Sequence, residues 1–317
     1  MNSRIPKTPP QTPDSPWNLG KIVAELRTVR EGWREAQRRN TEAGGRELPS
    51  RAALGDILSA LCGALFPMRL GPADLHQETE DFYVGHTLDT ALNALLNEVR
   101  LELNYVNRGQ PQDAAQVEQT ARRIVHAFAD RLPALRTLLD SDVLAAYRGD
   151  PAARSVDEVL ICYPGVLAII HHRLAHELYR LGAPLLARIC AELAHSQTGI
   201  DIHPGAQIGS HFFIDHGTGV VIGETAIIGE NVRIYQAVTL GAKRFTTDED
   251  GSLQKGQPRH PIVEDDVVIY AGATILGRIT IGKGSVIGGN VWLTRSVPPG
   301  SNITQALLNE VCPKGGV

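Results

Sequence analysis

The chain is 317 residues long, enough for two domains and a sizeable core. It has 31 basic and 35 acidic residues, a formal net charge of -4, which argues against a nucleic-acid-binding surface as its main business. Aromatics are 5% of the chain and glycines number 31, so the core is mostly aliphatic and the backbone turns tightly in many places. Cys62, Cys162, Cys190 and Cys312 lie far apart with no C-x-x-C pair. That spacing points away from a disulfide framework or a cysteine zinc site, and toward a reducing, cytoplasmic setting.

Residues 1–16 hold five prolines and almost no apolar side chains, which predicts a disordered tail without a secretory signal. From Trp17 to about Gln197 the pattern is helical, giving an expected all-helical N-terminal domain over 17–198. Apolar residues recur at helical spacing over Trp17–Arg39, Leu88–Val106 and Val117–Leu139, and further helices are expected over Gly165–Arg180 and Pro184–Ala194. The longest apolar stretch, Val159–Ile170, is broken by Pro164-Gly165 and is too short to span a bilayer, so no membrane partner is expected.

At Gly199 the texture changes. Aliphatic residues recur every six positions at Ile202, Ile208 and Ile214, slip by two, and continue at Ile222, Ile228, Ile234 and Leu240. After a polar break the register resumes at Val263, Ile269, Ile275, Ile281, Ile287 and Leu293. Small or β-branched residues follow four positions later, among them Ala206, Thr218, Ala226, Val238 and Ala273. Period six fits neither an α-helix nor a long strand. It fits a solenoid of short strands and corners, three sides to a coil, with the aliphatic residue inside. The expected solenoid covers 199–299, a loop leaves it over 242–261, and a tail follows over 300–317. The fold class is therefore α+β: a helical N-terminal domain joined to a parallel β-helix.

The hexapeptide register resembles that of the left-handed parallel β-helix acyltransferases. More narrowly, the chain resembles the serine O-acetyltransferase family. The likeness rests on D-I-H-P-G-A at Asp201–Ala206, I-D-H-G-T-G-V-V-I-G-E-T-A at Ile214–Ala226, V-T-L-G at Val238–Gly241 and R-H-P at Arg259–Pro261. R-G-D-P at Arg148–Pro151, the helix Gly165–His176, A-G-A-T-I-L-G at Ala271–Gly277 and V-P-P at Val297–Pro299 extend it.

The resemblance implies transfer of acetyl from acetyl-CoA to the hydroxyl of L-serine, the first step of cysteine biosynthesis from serine. It makes His216 the general base, a role that suits histidine as a residue type because its reference pKa lies near working pH. Asp201 is implied as the carboxylate behind that ring. Asp150 and Asp215 are implied for the substrate ammonium, Arg259 for its carboxylate, and His260 as a second substrate-contacting histidine. Gly241, Ala242, Ala271 and Gly289 match small positions along the family's CoA groove, and they also fit plain corner packing.

Partners implied in the same way are further copies of the chain, as a homotrimer or a dimer of trimers, and L-cysteine as feedback inhibitor. The ending Gly315-Gly316-Val317 leaves docking of O-acetylserine sulfhydrylase open. No metal is expected: His211 and His216 have a zinc-pair spacing, but a third histidine in a suitable coil is missing. His172 and His176, at i and i+4, are expected to pack a helix onto the solenoid. Two alternatives stay open at this level, another hexapeptide-repeat acyltransferase and a catalytically inactive β-helix scaffold.

Overall fold

The computed structural model describes residues 17–37, 48–106, 113–243, 253–254 and 256–306. The expectations for the stretch 1–16, for most of the loop 242–261 and for the tail beyond 306 fall outside the described residues. Helix α1 (Leu19–Ala36) belongs to one compact unit, 1–47, and everything from Leu48 onward to a second. In α1 the Asn18 side chain accepts the Lys21 N–H, and Leu19, Ile22, Leu26 and Val29 stay exposed along one stripe.

The second unit begins with helices α2 (Arg51–Leu65), α3 (Pro67–Leu70), α4 (Glu80–Val106) and α5 (Ala114–Gly149). Helices α6 (Val156–Cys162), α7 (Pro164–Arg180) and α8 (Pro184–Thr198) follow. Capping explains several starts: Ser50, Asp113 and Ser155 each accept a backbone N–H of the first turn, and α7 and α8 open on proline. Gly199, at φ +69°, ends α8 in the left-handed conformation that glycine adopts without steric cost. Helices α2, α3 and α6 were not distinguished in the sequence, because the first carries two small-residue gaps and the others are too short to show a period.

Among the described residues fourteen short strands then wind as a parallel solenoid. The first face stacks β1 (Asp201–Ile202), β4 (Val221–Ile222), β7 (Thr239–Gly241), β10 (Thr274–Leu276) and β13 (Trp292–Leu293). The second stacks β2 (Gln207–Ile208), β5 (Ile227–Ile228), β8 (Ile262–Val263) and β11 (Thr280–Ile281). The third stacks β3 (Phe213–Ile214), β6 (Arg233–Ile234), β9 (Val268–Ile269), β12 (Val286–Ile287) and β14 (Asn302–Ile303).

Pairing sets Ile202, Ile222, Leu240, Ile275 and Leu293 in one ladder, Ile208, Ile228, Val263 and Ile281 in a second, and Ile214, Ile234, Ile269 and Ile287 in a third. All thirteen period-six residues therefore project inward on these ladders, and Ile303 extends the third. One small-residue expectation is corrected: Thr218 is exposed, and Val220 fills the buried slot that Val238 and Ala273 fill in later coils. The two-residue slip falls before Val220, where His216, Thr218 and Gly219 stand exposed while Gly217 stays buried against Ile200 and Ile214.

Helices and solenoid share one hydrophobic cluster, from Leu54 to Val297. The change at Gly199 is thus a change of secondary structure inside a single compact unit. A buried ion pair ties the two parts: Arg173 on α7 donates from Nε and Nη2 to Asp142 on α5, both at 3.0 Å, and from Nη1 and Nη2 to the Ile208 and Gly209 carbonyls. His176 Nδ1 lies 2.8 Å from the Pro204 carbonyl. Glu102 caps α8 by accepting the Leu185 and Leu186 N–H groups. Among the described residues no single helix is long and apolar enough to cross a membrane.

Candidate active site

The turns between faces form three stacked corners, and two of them hold most of the expected site residues. The corner leading from the third face to the first holds Asp215–Gly219, Tyr235–Ala237, Tyr270–Gly272 and Gly288–Asn290. His216 stands there in the left-handed backbone region, φ +60°, with its side chain 72% exposed. A non-glycine residue at such φ is uncommon and is held by its surroundings. The two extra residues of this turn lengthen the corner, and the imidazole stands in the open beside the exposed Thr218.

Two carboxylates converge on that imidazole. Asp215, only 8% exposed, has Oδ1 at 3.8 Å from His216 Nε2. Its Oδ2 accepts from Arg233 Nη2 at 2.5 Å. Asp150 caps the end of α5; its Oδ1 accepts the Ala152 N–H at 2.8 Å and its Oδ2 the Tyr163 hydroxyl at 2.5 Å. The Tyr163 hydrogen bond above all, then the Ala152 N–H, holds the Asp150 carboxyl below its usual range, with smaller help from Arg233 and His216. The same bond pushes Tyr163 up to about 12. Ala271 and Gly289 stack at this corner, where a Cβ on residue 289 would sit 3.2 Å from the Ala271 carbonyl.

The corner leading from the first face to the second gathers the other set. Thr225 is its hub: its hydroxyl oxygen accepts the Arg259 and His260 N–H groups at 2.9 and 3.1 Å. The Thr225 N–H donates to His260 Nδ1 at 3.0 Å. Arg259 Nη2 donates to Glu224 at 2.6 Å, and Glu224 also accepts from the Tyr179 hydroxyl. Burial first, then the Arg259 cation, pushes His260 down to about 4. The ring packs so tightly over Gly223 that any Cβ there would overlap it. Gly241 and Ala242 leave the first face at this same corner.

The expected site residues are therefore divided. Asp150, Asp215, His216, Ala271 and Gly289 share one corner, while Arg259, His260, Gly241 and Ala242 share another. Asp201 opens the first face on β1. Its carboxylate groups with Glu192 and His195, ligand atoms within 4.8 Å of one another, because β1 lies against the last turn of α8. The carboxylate seen within 4 Å of His216 is that of Asp215, at 3.8 Å. His211 sits at the remaining corner, on the Ser210 hydroxyl, away from His216.

Sequence reasoning gave no role to Tyr163, Glu224, Thr225 or Arg233. Glu224 and Thr225 lay inside a quoted motif. Arg233 carried one faint signal, a lone cation on an outward strand position of the solenoid.

A parallel β-helix of six-residue steps with polar side chains gathered at its corners defines the hexapeptide class of transferases. The family described as bacterial transferase hexapeptide (six repeats) matches residues 260–295. A serine acetyltransferase of Synechococcus elongatus, plasmid-borne, is 63% identical over 264 residues, covering 82% of this chain and 83% of that protein. A serine acetyltransferase of Mycobacterium tuberculosis is 53% identical over 163 residues, covering 51% of this chain and 67% of that one. Among solved structures, Entamoeba histolytica serine acetyltransferase 1 in complex with L-cysteine superposes with a TM-score of 0.68 at 40% identity, covering 78% of this chain and 86% of that one. The chain belongs to the serine acetyltransferase family, and its solenoid is the left-handed β-helix of that fold.

Proposed function

We propose that the protein transfers the acetyl group of acetyl-CoA to the hydroxyl of L-serine, giving O-acetyl-L-serine and CoA. The observation that carries this reading is the exposed His216 imidazole flanked by Asp150 and Asp215 at one corner. His216 takes the hydroxyl proton as the serine oxygen attacks the thioester carbonyl. The C–O bond forms, the C–S bond breaks, and the CoA sulfur leaves with that proton. The imidazolium formed meanwhile is stabilised by the nearby carboxylates, as in other base–acid pairs.

Asp150 and Asp215 hold the substrate ammonium, and the Arg259 guanidinium takes its carboxylate in a bidentate fork. His260, kept neutral by burial, offers its Nε2–H to the same substrate. Because these residues stand on two corners of one prism, a complete site needs corners from two copies, as in a closed homotrimer. The pantetheine arm of CoA would run between the same two corners, along Gly241 and Ala242 on one side and Ala271 and Gly289 on the other. L-Cysteine, a serine analogue with a thiol for the hydroxyl, would compete at the serine position.

The test is a thiol-release assay with acetyl-CoA and L-serine. We expect CoA release that His216→Ala lowers by about two orders of magnitude or more. CoA release with sugars or amines but not with serine would move the protein to another acyltransferase activity. CoA binding without turnover would make it a scaffold.

A further inference from the structure

Arg233 has no part in the reaction above, yet its side chain is packed between rings and hydrogen-bonded, with only 25% of it exposed. It opens β6 on the outer surface of the third face, between Phe213 and Val268. Its guanidinium carbon lies 4.9 Å from the Phe213 ring centroid and 4.7 Å from that of Tyr235. Tyr235 in turn stacks on Tyr270, centroids 5.0 Å apart and planes 17° from parallel. Phe213 packs against Gly149, the residue before Asp150, so the whole stack is anchored to the end of α5. From this clamp Arg233 Nη2 reaches Asp215 Oδ2, while Nε is buried without a hydrogen-bond partner.

We propose that Arg233 is a positioning residue that fixes the Asp215 carboxylate, pinning Oδ2 and leaving Oδ1 beside His216 to receive the substrate ammonium. The proposal rests on the reading of Asp215 as an ammonium ligand. A planar guanidinium clamped between rings sets direction in a way a flexible ammonium does not. Two physical effects oppose each other here. The positive charge of Arg233 repels an incoming ammonium, and its tether spares the substrate the cost of ordering Asp215. If charge dominated, removing Arg233 would tighten serine binding. If positioning dominates, removing it weakens serine binding. The clamp argues for positioning, because a cation kept only for charge needs no stack of rings around it.

Steady-state kinetics on Arg233→Met, Arg233→Lys, Asp215→Asn and Arg233→Met/Asp215→Asn separate these cases. We expect Arg233→Met to raise KM for L-serine about tenfold, the loss of one hydrogen bond to a charged group. KM for acetyl-CoA should stay unchanged and kcat should move much less than KM for serine. Arg233→Lys, which keeps the charge but not the fork, should fall between wild type and Arg233→Met. In the Asp215→Asn background, Arg233→Met should add little further effect, because the group it orients is gone. An unchanged or lowered KM for serine in Arg233→Met overturns the proposal, as does full additivity in the double variant. Equal losses in kcat and both KM values would reduce Arg233 to a packing role. Should Arg233→Met fail to fold, Arg233→Lys alone decides, since no rise in its KM for serine would also overturn it. The underlying reading fails separately, if Asp215→Asn itself leaves KM for serine untouched.

Discussion

His260 keeps its proton on Nε2, because Nδ1 accepts the Thr225 N–H at 3.0 Å. Burial lowers its pKa from 6.5 to about 4, and the same cause lowers His171, His176 and His203, and His172 most of all. Each of these groups takes up its proton more readily when unfolded than when folded. As pH falls below 6.5, unfolding therefore binds protons and stability declines, until the folded pKa is reached near 4 for His260. Asp142, pushed up from 3.8 to about 6 by burial, acts in the opposite direction within that window. Glu102, also raised by burial, does the same. Five histidines against two carboxylates favour net acid destabilisation. We expect the melting temperature to fall between about pH 7 and about pH 5, with a shallower fall in His260→Gln. A flat profile in the wild type, or an equal slope in the variant, would contradict this. None of these shifts is visible in the sequence, which marks His260 by its motif and His172 by its helix but not their burial; the shifts arise from neighbours far apart along the chain.

The elements differ in how openly the sequence declares them. The thirteen inward positions of the solenoid were legible because each coil repeats the same packing problem and solves it with the same residue type. The corner residues were legible only as motifs, because turn geometry leaves no period. The two-residue slip misled the reading at Thr218, since a fixed step from Ile214 ignores the two extra residues of that turn. Most contacts across elements left no signal in the sequence, and the buried ion pair of Arg173 is one of them. Arg173 and Asp142 are 4% and 1% exposed, 31 residues apart, and Asp142 also accepts the Phe212 N–H at 2.9 Å. Removing one member of such a pair strands a charge, whereas removing both leaves only packing to repair. Arg173→Met is expected to cost about 3–5 kcal/mol of stability. Adding Asp142→Leu should recover part of that loss, with the Ile208 and Gly209 carbonyls left to find water. Chemical denaturation of the two single variants and the double measures the coupling. A double variant as unstable as the sum of the singles would show that the pair does not act as a unit.

At the scale of the molecule, the division of the site between two corners is the feature that the sequence order conceals. His216 and Arg259 are separated by 43 positions, which in a solenoid of this step can place residues one above another or on different edges. The chain puts them on different edges, and the fold has a simple way to reunite them. In the homotrimer proposed above, three prisms side by side would bring the His216 corner of each to the Arg259 corner of the next, an interface that would close after one turn of a threefold axis. Mixing inactive chains tests that geometry directly. His216→Ala chains keep a good Arg259 corner, and Arg259→Ala chains keep a good His216 corner. Each variant alone builds three defective sites. Unfolded together and refolded at equal amounts, they assort at random, and a site is intact when an Arg259→Ala chain supplies the histidine and a His216→Ala chain the arginine. Independent assortment makes that about a quarter of the sites, so about a quarter of wild-type activity should return. Activity no higher than that of either variant refolded alone would mean that each chain builds its site from its own corners. In that case Arg259 would have to leave Glu224, and the ion pair at 2.6 Å would mark a closed state rather than half of a shared site.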